Sequence, residues 1–169
     1  MRRLLSLILV CSPLIATAAT TPAGAVAELW QASSHAPGAV ADVERLQQLF
    51  RKDAMVVGGI YHEGKPVFHA MKASDFIASQ REPRPHGFYE CEVRREVKEY
   101  DRFATVYSVV ETRRDPKAAK ADYTGVNSIQ LYREEDGWKI VSLYYHVEKP
   151  GSPIPLEGAR SGACLMAKG

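Results

Sequence analysis

Asn127, Tyr144 and His146 are the side chains whose types and spacing come nearest to a chemical site in this chain. An imidazole can donate, accept or carry a proton near neutral pH. A carboxamide offers both donors and an acceptor, and a phenol adds one hydroxyl. If the run 125–148 is a hairpin with an even-length loop, Asn127 falls opposite His146 and Tyr144 lies two residues away on the same face. Ile129, Leu131, Ile140 and Trp138 then surround them, which is the make-up of a small-molecule site, with apolar walls and few polar groups. Glu148 joins by strand parity and Tyr107 from the adjacent long strand. The competing reading is a packed core in which Asn127 and His146 satisfy each other.

Other chemistry is sparse. His35, His62, His69, His86 and His146 show no metal-ligand spacing, so neither a metal site nor a cofactor is expected. No nucleophile elbow or phosphate-binding loop occurs, and Ser128 and Ser142 read as ordinary strand serines. Glu90, Glu92, Glu96 and Glu111 with Arg94, Arg95 and Lys98 form a charged ladder on two long strands. It reads first as a solvated or cross-strand-paired surface. The sharper reading is a polar cavity wall, because alternate residues share a face.

The elements that must position these groups follow from periodicity. Residues 125–148 are two β-rich runs around Glu134-Glu135-Asp136-Gly137, a strong hairpin signal. One face carries Asn127, Ile129 and Leu131 with His146, Tyr144, Ser142, Ile140 and Trp138. The other carries Val126, Ser128, Gln130 and Tyr132 with Val147, Tyr145, Leu143 and Val141. Both faces are largely apolar, so both should be covered. Upstream, helices are expected over 25–34, 39–51 and 75–80, the last capped by Ser74, with strands over 54–61, 66–71, 88–100 and 103–114. Gly58-Gly59 marks a bulge or a close backbone approach. Helices gathered early and strands late mean α+β.

Residues 1–18 have a basic start at Arg2-Arg3, an apolar stretch and the small-residue site Ala16-Thr17-Ala18. That is the pattern of a secretory signal peptide cleaved after Ala18, placing the protein in the periplasm or outside the cell without a stable membrane anchor. Removing Arg2 and Arg3 from the 22 basic residues leaves 20 against 20 acidic ones, with no basic excess of the kind nucleic-acid binding needs. Residues 19–149 form one domain, and Pro150, Pro153 and Pro155 make 150–169 an extended tail. Cys91 and Cys164 are the cysteines that remain. In an oxidising compartment their pairing would staple the tail across the sheet; two separate thiols are the alternative.

The runs Val43-Glu44-Arg45-Leu46-Gln47-Gln48-Leu49-Phe50, Asp53-Ala54-Met55-Val56-Val57, Ser74-Asp75-Phe76-Ile77 and Asp136-Gly137-Trp138-Lys139-Ile140-Val141 together resemble the nuclear transport factor 2-like superfamily and its SnoaL-like group. The resemblance covers residues 25–148. It implies a cone-shaped, curved antiparallel sheet wrapped around the N-terminal helices, a cystatin-like α+β barrel with one cavity. It implies no single activity, because this fold hosts isomerases, cyclases, dehydratases, hydrolases and non-enzymatic binding modules. No catalytic residue carries over. A non-catalytic module holding a small, largely apolar ligand is the preferred expectation. A small periplasmic acid/base enzyme using His146 or a cavity carboxylate is the alternative. A homodimer through the outer sheet face is expected, since Val126, Tyr132, Val141, Leu143, Tyr145 and Val147 would otherwise be a bare apolar patch. Alternatively, the tail folds back over that face with Ile154 and Leu156.

Overall fold

The computed structural model describes residues 19–165; the expected leader, residues 1–18, lies outside them. Thr21 opens the chain by accepting a hydrogen bond from Gly24 N at 3.0 Å, and Pro22 supplies the first turn of α1 (Pro22–Ser33). Asp42 caps α2 (Val43–Leu49) through Arg45 N at 2.9 Å. This helix is shorter than its apolar pattern suggests, because the chain passes into β1 (Phe50–His62) at once. A turn at Glu63-Gly64 leads to β2 (Lys65–Lys72), followed by α3 (Ala73–Ser79). Lys72, not Ser74, precedes that helix, and no side chain caps it. Four long strands complete the fold: β3 (Tyr89–Tyr100), β4 (Phe103–Arg113), β5 (Tyr123–Glu134) and β6 (Gly137–Val147).

The six strands form one sheet in the order β2-β1-β6-β5-β4-β3. It is an α+β fold with a mixed sheet: every neighbouring pair is antiparallel except β1 and β6, which run parallel. Val26 and Leu29 of α1, Leu46 and Leu49 of α2 and Ile77 of α3 pack with Val106, Ile129, Leu131, Trp138, Ile140 and Leu143 into one core on the inner face.

The hairpin departs from the even register at one place. Its loop is Glu135-Asp136, with Glu134 opposite Gly137, so the parity near the turn is as expected. Between Leu131↔Ile140 and Gln130↔Ser142 the register shifts, leaving Val141 as an extra residue in β6. A bulge of this kind reverses the facing of everything beyond it. Leu143, Tyr145 and Val147 therefore turn inward, and Ser142, Tyr144 and His146 turn outward. Ser142 accordingly donates to Gln130 on the outer face at 3.1 Å.

The C-terminal segment folds back over the outer face. Ile154 and Leu156 pack with Cys91, Val93, Val109 and Val126. Cys91 and Cys164 are joined by a disulfide with Cα atoms 5.0 Å apart. Leu165 N donates to Glu92 O at 2.7 Å, so the tail also occupies the free edge of β3. Gly162 N donates to Glu111 Oε2 at 2.9 Å, and Arg94 pairs with Glu157. Burial pushes the Glu111 carboxyl up, but the hydrogen bonds from Ser161, Arg113 and Gly162 together outweigh it and hold it below the usual range. The tail leaves Tyr107, Tyr132, Val141 and Tyr144 exposed.

Candidate functional site: a cavity with one unpaired carboxyl

The inner face of the curved sheet and the helices enclose a cavity of about 800 Å³. Trp30 of α1, Ile60 of β1, Met71 of β2, Phe76 of α3, Val110 of β4 and Leu143 of β6 supply its apolar wall. Asn127, Thr112 and Glu90 are among the polar groups facing it, while Arg84, Asp122 and Glu148 stand at its opening.

Glu90 reaches the cavity because of strand pairing. It lies opposite Thr112 on β4, and even-numbered residues of β4 face inward. Thr112 Oγ1 donates to Glu90 Oε1 at 3.1 Å, and Glu90 N is held by Ser34 Oγ at 3.0 Å. Ser34 Oγ in turn donates to Trp30 O at 2.7 Å, which locks the end of α1 to the start of β3. Oε2 of Glu90 takes no protein hydrogen bond among the described residues, and Glu90 lines the cavity. Burial pushes this carboxyl up to about 7, against a smaller downward pull from the Thr112 hydroxyl.

That shift has a definite sign for stability. A carboxyl that holds its proton to higher pH when folded favours folding fully below its ordinary value, and the benefit is lost as pH rises through the folded value. From an ordinary 4.5 to about 7, the cavity carboxyl makes the protein less stable as pH rises across that window. The loss is on the order of 3–4 kcal/mol at most, since each unit is worth about 1.4 kcal/mol. Glu90→Gln is expected to flatten this segment of a urea-midpoint profile against pH; an unchanged profile would show that Glu90 does not titrate there.

The other two carboxylates sunk between β3 and β4 each have a guanidinium of their own. Glu92 accepts from Arg95 Nε at 3.0 Å and from Ser108 Oγ at 2.6 Å. Glu111 takes Arg113 Nη2 at 2.8 Å. Among the described residues Glu90 forms no ion pair, and no group of three or more His, Cys, Asp or Glu side chains is placed to hold a metal ion.

A second polar pair sits on the β1–β2 side. His69 Nε2 and Tyr145 Oη are 2.8 Å apart. They meet directly over Gly58, where an added Cβ would come within 2.4 Å of both atoms. Only a glycine lets two long side chains cross that strand. Burial pushes the Tyr145 hydroxyl up.

The residues expected from sequence divide into two groups. Asn127 does line the cavity, where its Nδ2 donates to Ser108 O at 3.3 Å, and Glu148 lies at the opening, where it accepts from Ile154 N at 2.7 Å. Tyr144 and His146 do not point inward. The bulge at Val141 sets both rings on the outer face, although His146 is still among the residues lining the cavity. Its ring lies over Gly59, where an added Cβ would come within 2.2 Å of Nδ1, and packs edge-on to Tyr61 at 5.8 Å. Asn127 is opposite Tyr145, not His146. Trp138 is a core residue only 2% exposed and is not in the cavity wall. Tyr107 is also on the outer face, beneath the Arg94 guanidinium at 5.0 Å.

Glu90 was visible in the sequence only as one rung of a charged ladder, since a cavity wall and a solvated face have the same period. The bulge did leave a trace. Keeping the large residues Trp138, Ile140, Leu143 and Tyr145 on one face requires an extra residue between Ile140 and Leu143, and it puts the small polar Ser142 outside.

No protein-family model and no curated protein matches the chain. Solved structures do match. A nuclear transport factor 2-like protein of unknown function from Shewanella baltica aligns at 13% identity, with a TM-score of 0.51 over 73% of this chain and 88% of that one. Another, from Silicibacter pomeroyi, aligns at 20% identity and a TM-score of 0.49 over 73% and 90%. A protein of unknown function with a cystatin-like fold, from Nostoc punctiforme, aligns at 15% identity and 0.48 over 66% and 80%. Identities this low speak to fold alone.

Proposed function

The chain has the nuclear transport factor 2-like fold, and from that premise we propose that it is an exported binding module holding a small, largely apolar molecule in the cone cavity. The observation that carries this reading is the cavity itself: about 800 Å³, with more apolar than polar wall and polar groups such as Glu90, Thr112 and Asn127 set into it. Those are the size and make-up of small-molecule sites. The Cys91–Cys164 bond is in keeping with export to an oxidising compartment.

Gly125 provides a test that spares the core. It lies opposite Val110 and Val147 on the inner face, and an added Cβ would meet nothing closer than 3.4 Å. Gly125→Leu should therefore fold and fill part of the cavity. Native mass spectrometry of protein prepared from its host's periplasm is expected to find a bound small molecule in the wild type. Its occupancy should drop at least tenfold in Gly125→Leu. Equal occupancy in the two proteins would place the ligand elsewhere and sink the reading.

A second reading, acid/base catalysis, is favoured by one observation: burial holds the cavity carboxyl of Glu90 at about 7, where it can both give and take a proton. Conversion of the co-purified molecule by the wild type but not by Glu90→Gln would establish it. A homodimer would use the part of the outer face that the tail leaves bare, Tyr107, Tyr132, Val141 and Tyr144. A monomer mass by light scattering at micromolar concentration would rule it out.

A further inference from the structure

Glu90, Glu92 and Glu111 are three carboxylates on the same pair of strands; Glu92 and Glu111 are buried, and Glu90 is half-buried against the cavity. Glu92 has Arg95 and Glu111 has Arg113. The third has Thr112 and an oxygen that takes no protein hydrogen bond among the described residues, and it lines the cavity. A carboxylate withdrawn from water is costly unless a cation accompanies it. Here the chain supplies cations to two of the three and leaves the one that faces the cavity without.

Among the described residues, no cation pairs with Glu90. Trp30 and Ser33 on α1 are uncharged, as are Val110 and Thr112 on β4 and Phe76, Ser79 and Gln80 on and after α3. His35, just beyond Phe88, turns its Nδ1 to Ala36 O at 3.0 Å. On the far side, His69 is taken up by Tyr145. Arg84 is exposed at the opening, where Asp122, Glu148 and the edge of His146 also lie. Asp122 accepts from Arg114 N at 2.8 Å and Glu148 from Ile154 N, so both acids are already partnered.

Building on the cavity-binding reading, we propose that the missing cation comes with the ligand: the cavity takes a small amphiphilic amine whose ammonium pairs with Glu90 and whose apolar body lies against Trp30, Phe76, Phe88 and Leu143. The aromatic share of that wall suits a positive charge better than an aliphatic one, because ring faces attract cations in desolvated surroundings. The ammonium replaces the proton that burial otherwise keeps on the carboxyl near neutral pH. Ligand binding is therefore tighter above that range than below it.

Three probes of one shape separate the charges: 1-naphthylmethylamine, 1-naphthylmethanol and 1-naphthoate, titrated calorimetrically into the full mature chain. At about pH 8 the amine is expected to bind at least tenfold tighter than the alcohol, and the carboxylate weakest. At about pH 5.5 the amine's advantage should shrink severalfold as Glu90 takes up its proton. Glu90→Gln should bring amine and alcohol affinities together, chiefly by weakening the amine. That variant keeps the acceptor for Thr112 and removes the charge, so a folded protein is expected. An alcohol that binds as tightly as the amine, or an amine preference that survives in Glu90→Gln, overturns this inference and leaves the cavity reading standing. If none of the three binds while the naturally held molecule is also absent, both fall together.

Discussion

Reducing the Cys91–Cys164 bond, or replacing Cys164 with Ser, is expected to lower the unfolding free energy by about 4 kcal/mol. The bond closes a loop of 73 residues in sequence separation. The unfolded chain's loss of freedom on such a closure is worth about 4 kcal/mol on the chain-entropy account. The tail has further anchors, Leu165 N on Glu92 O, Gly162 N on Glu111 and Arg94 with Glu157, but each is a single contact at or near the surface. Without the covalent link they compete with water for a segment that has no core of its own beyond Ile154 and Leu156. Urea denaturation with and without reductant measures the difference. The freed tail should also become the first site of cleavage in limited proteolysis. A change below about 1 kcal/mol, with an equally protected tail, would mean that the noncovalent anchors suffice.

Glu92→Ala is the second large effect, expected to cost about 3–5 kcal/mol. Glu92 is buried, with a side chain 3% exposed, and its partner Arg95 is at 11%. Removing the carboxylate leaves a guanidinium under the surface with no counter-charge, and it strips Ser108 Oγ of its acceptor at 2.6 Å. The penalty arises from what is left behind rather than from what is lost. The double change Glu92→Met with Arg95→Met removes both charges, and it should recover most of the loss. Chemical denaturation of the three proteins gives the coupling directly. A single mutant within about 1 kcal/mol of wild type would show that water reaches Arg95 and solvates it.

The two effects differ in origin, and the difference bears on what the fold does. The disulfide acts on the unfolded chain and fastens a cover over the outer face. The Glu92–Arg95 pair acts within the folded sheet, next to the bulge between Glu92 and Arg94 that bends β3. That bend belongs to the curvature that opens the cavity. Of the carboxylates on the inner face of β3, Glu92 is thus paired with Arg95, while Glu90, two residues away, faces the cavity without an ion pair among the described residues.

Local pattern determined much of this molecule. Apolar spacing in residues 43–50, alternation along the long strands and Asp136-Gly137 between β-rich runs were enough for an α+β fold and for the hairpin at its centre. Each of those signals depends on neighbours a few residues apart, and such contacts form the same way in most surroundings. Gly58-Gly59 marked either a bulge or a close approach, and nothing local said that His69 and Tyr145 would meet over the first and His146 would lie over the second. What only the tertiary structure decided were matters of facing and partnership. One extra residue at Val141 turned Tyr144 and His146 outward and Tyr145 inward, because strand parity is a running count that a single bulge reverses. Which rung of the charged ladder stayed unpaired depended on Arg95, Arg113, Thr112 and the end of α1 arriving from separate parts of the chain. Glu90 owes its character to a cavity that exists only once the sheet has curved around the helices, and no window of sequence contains that cavity.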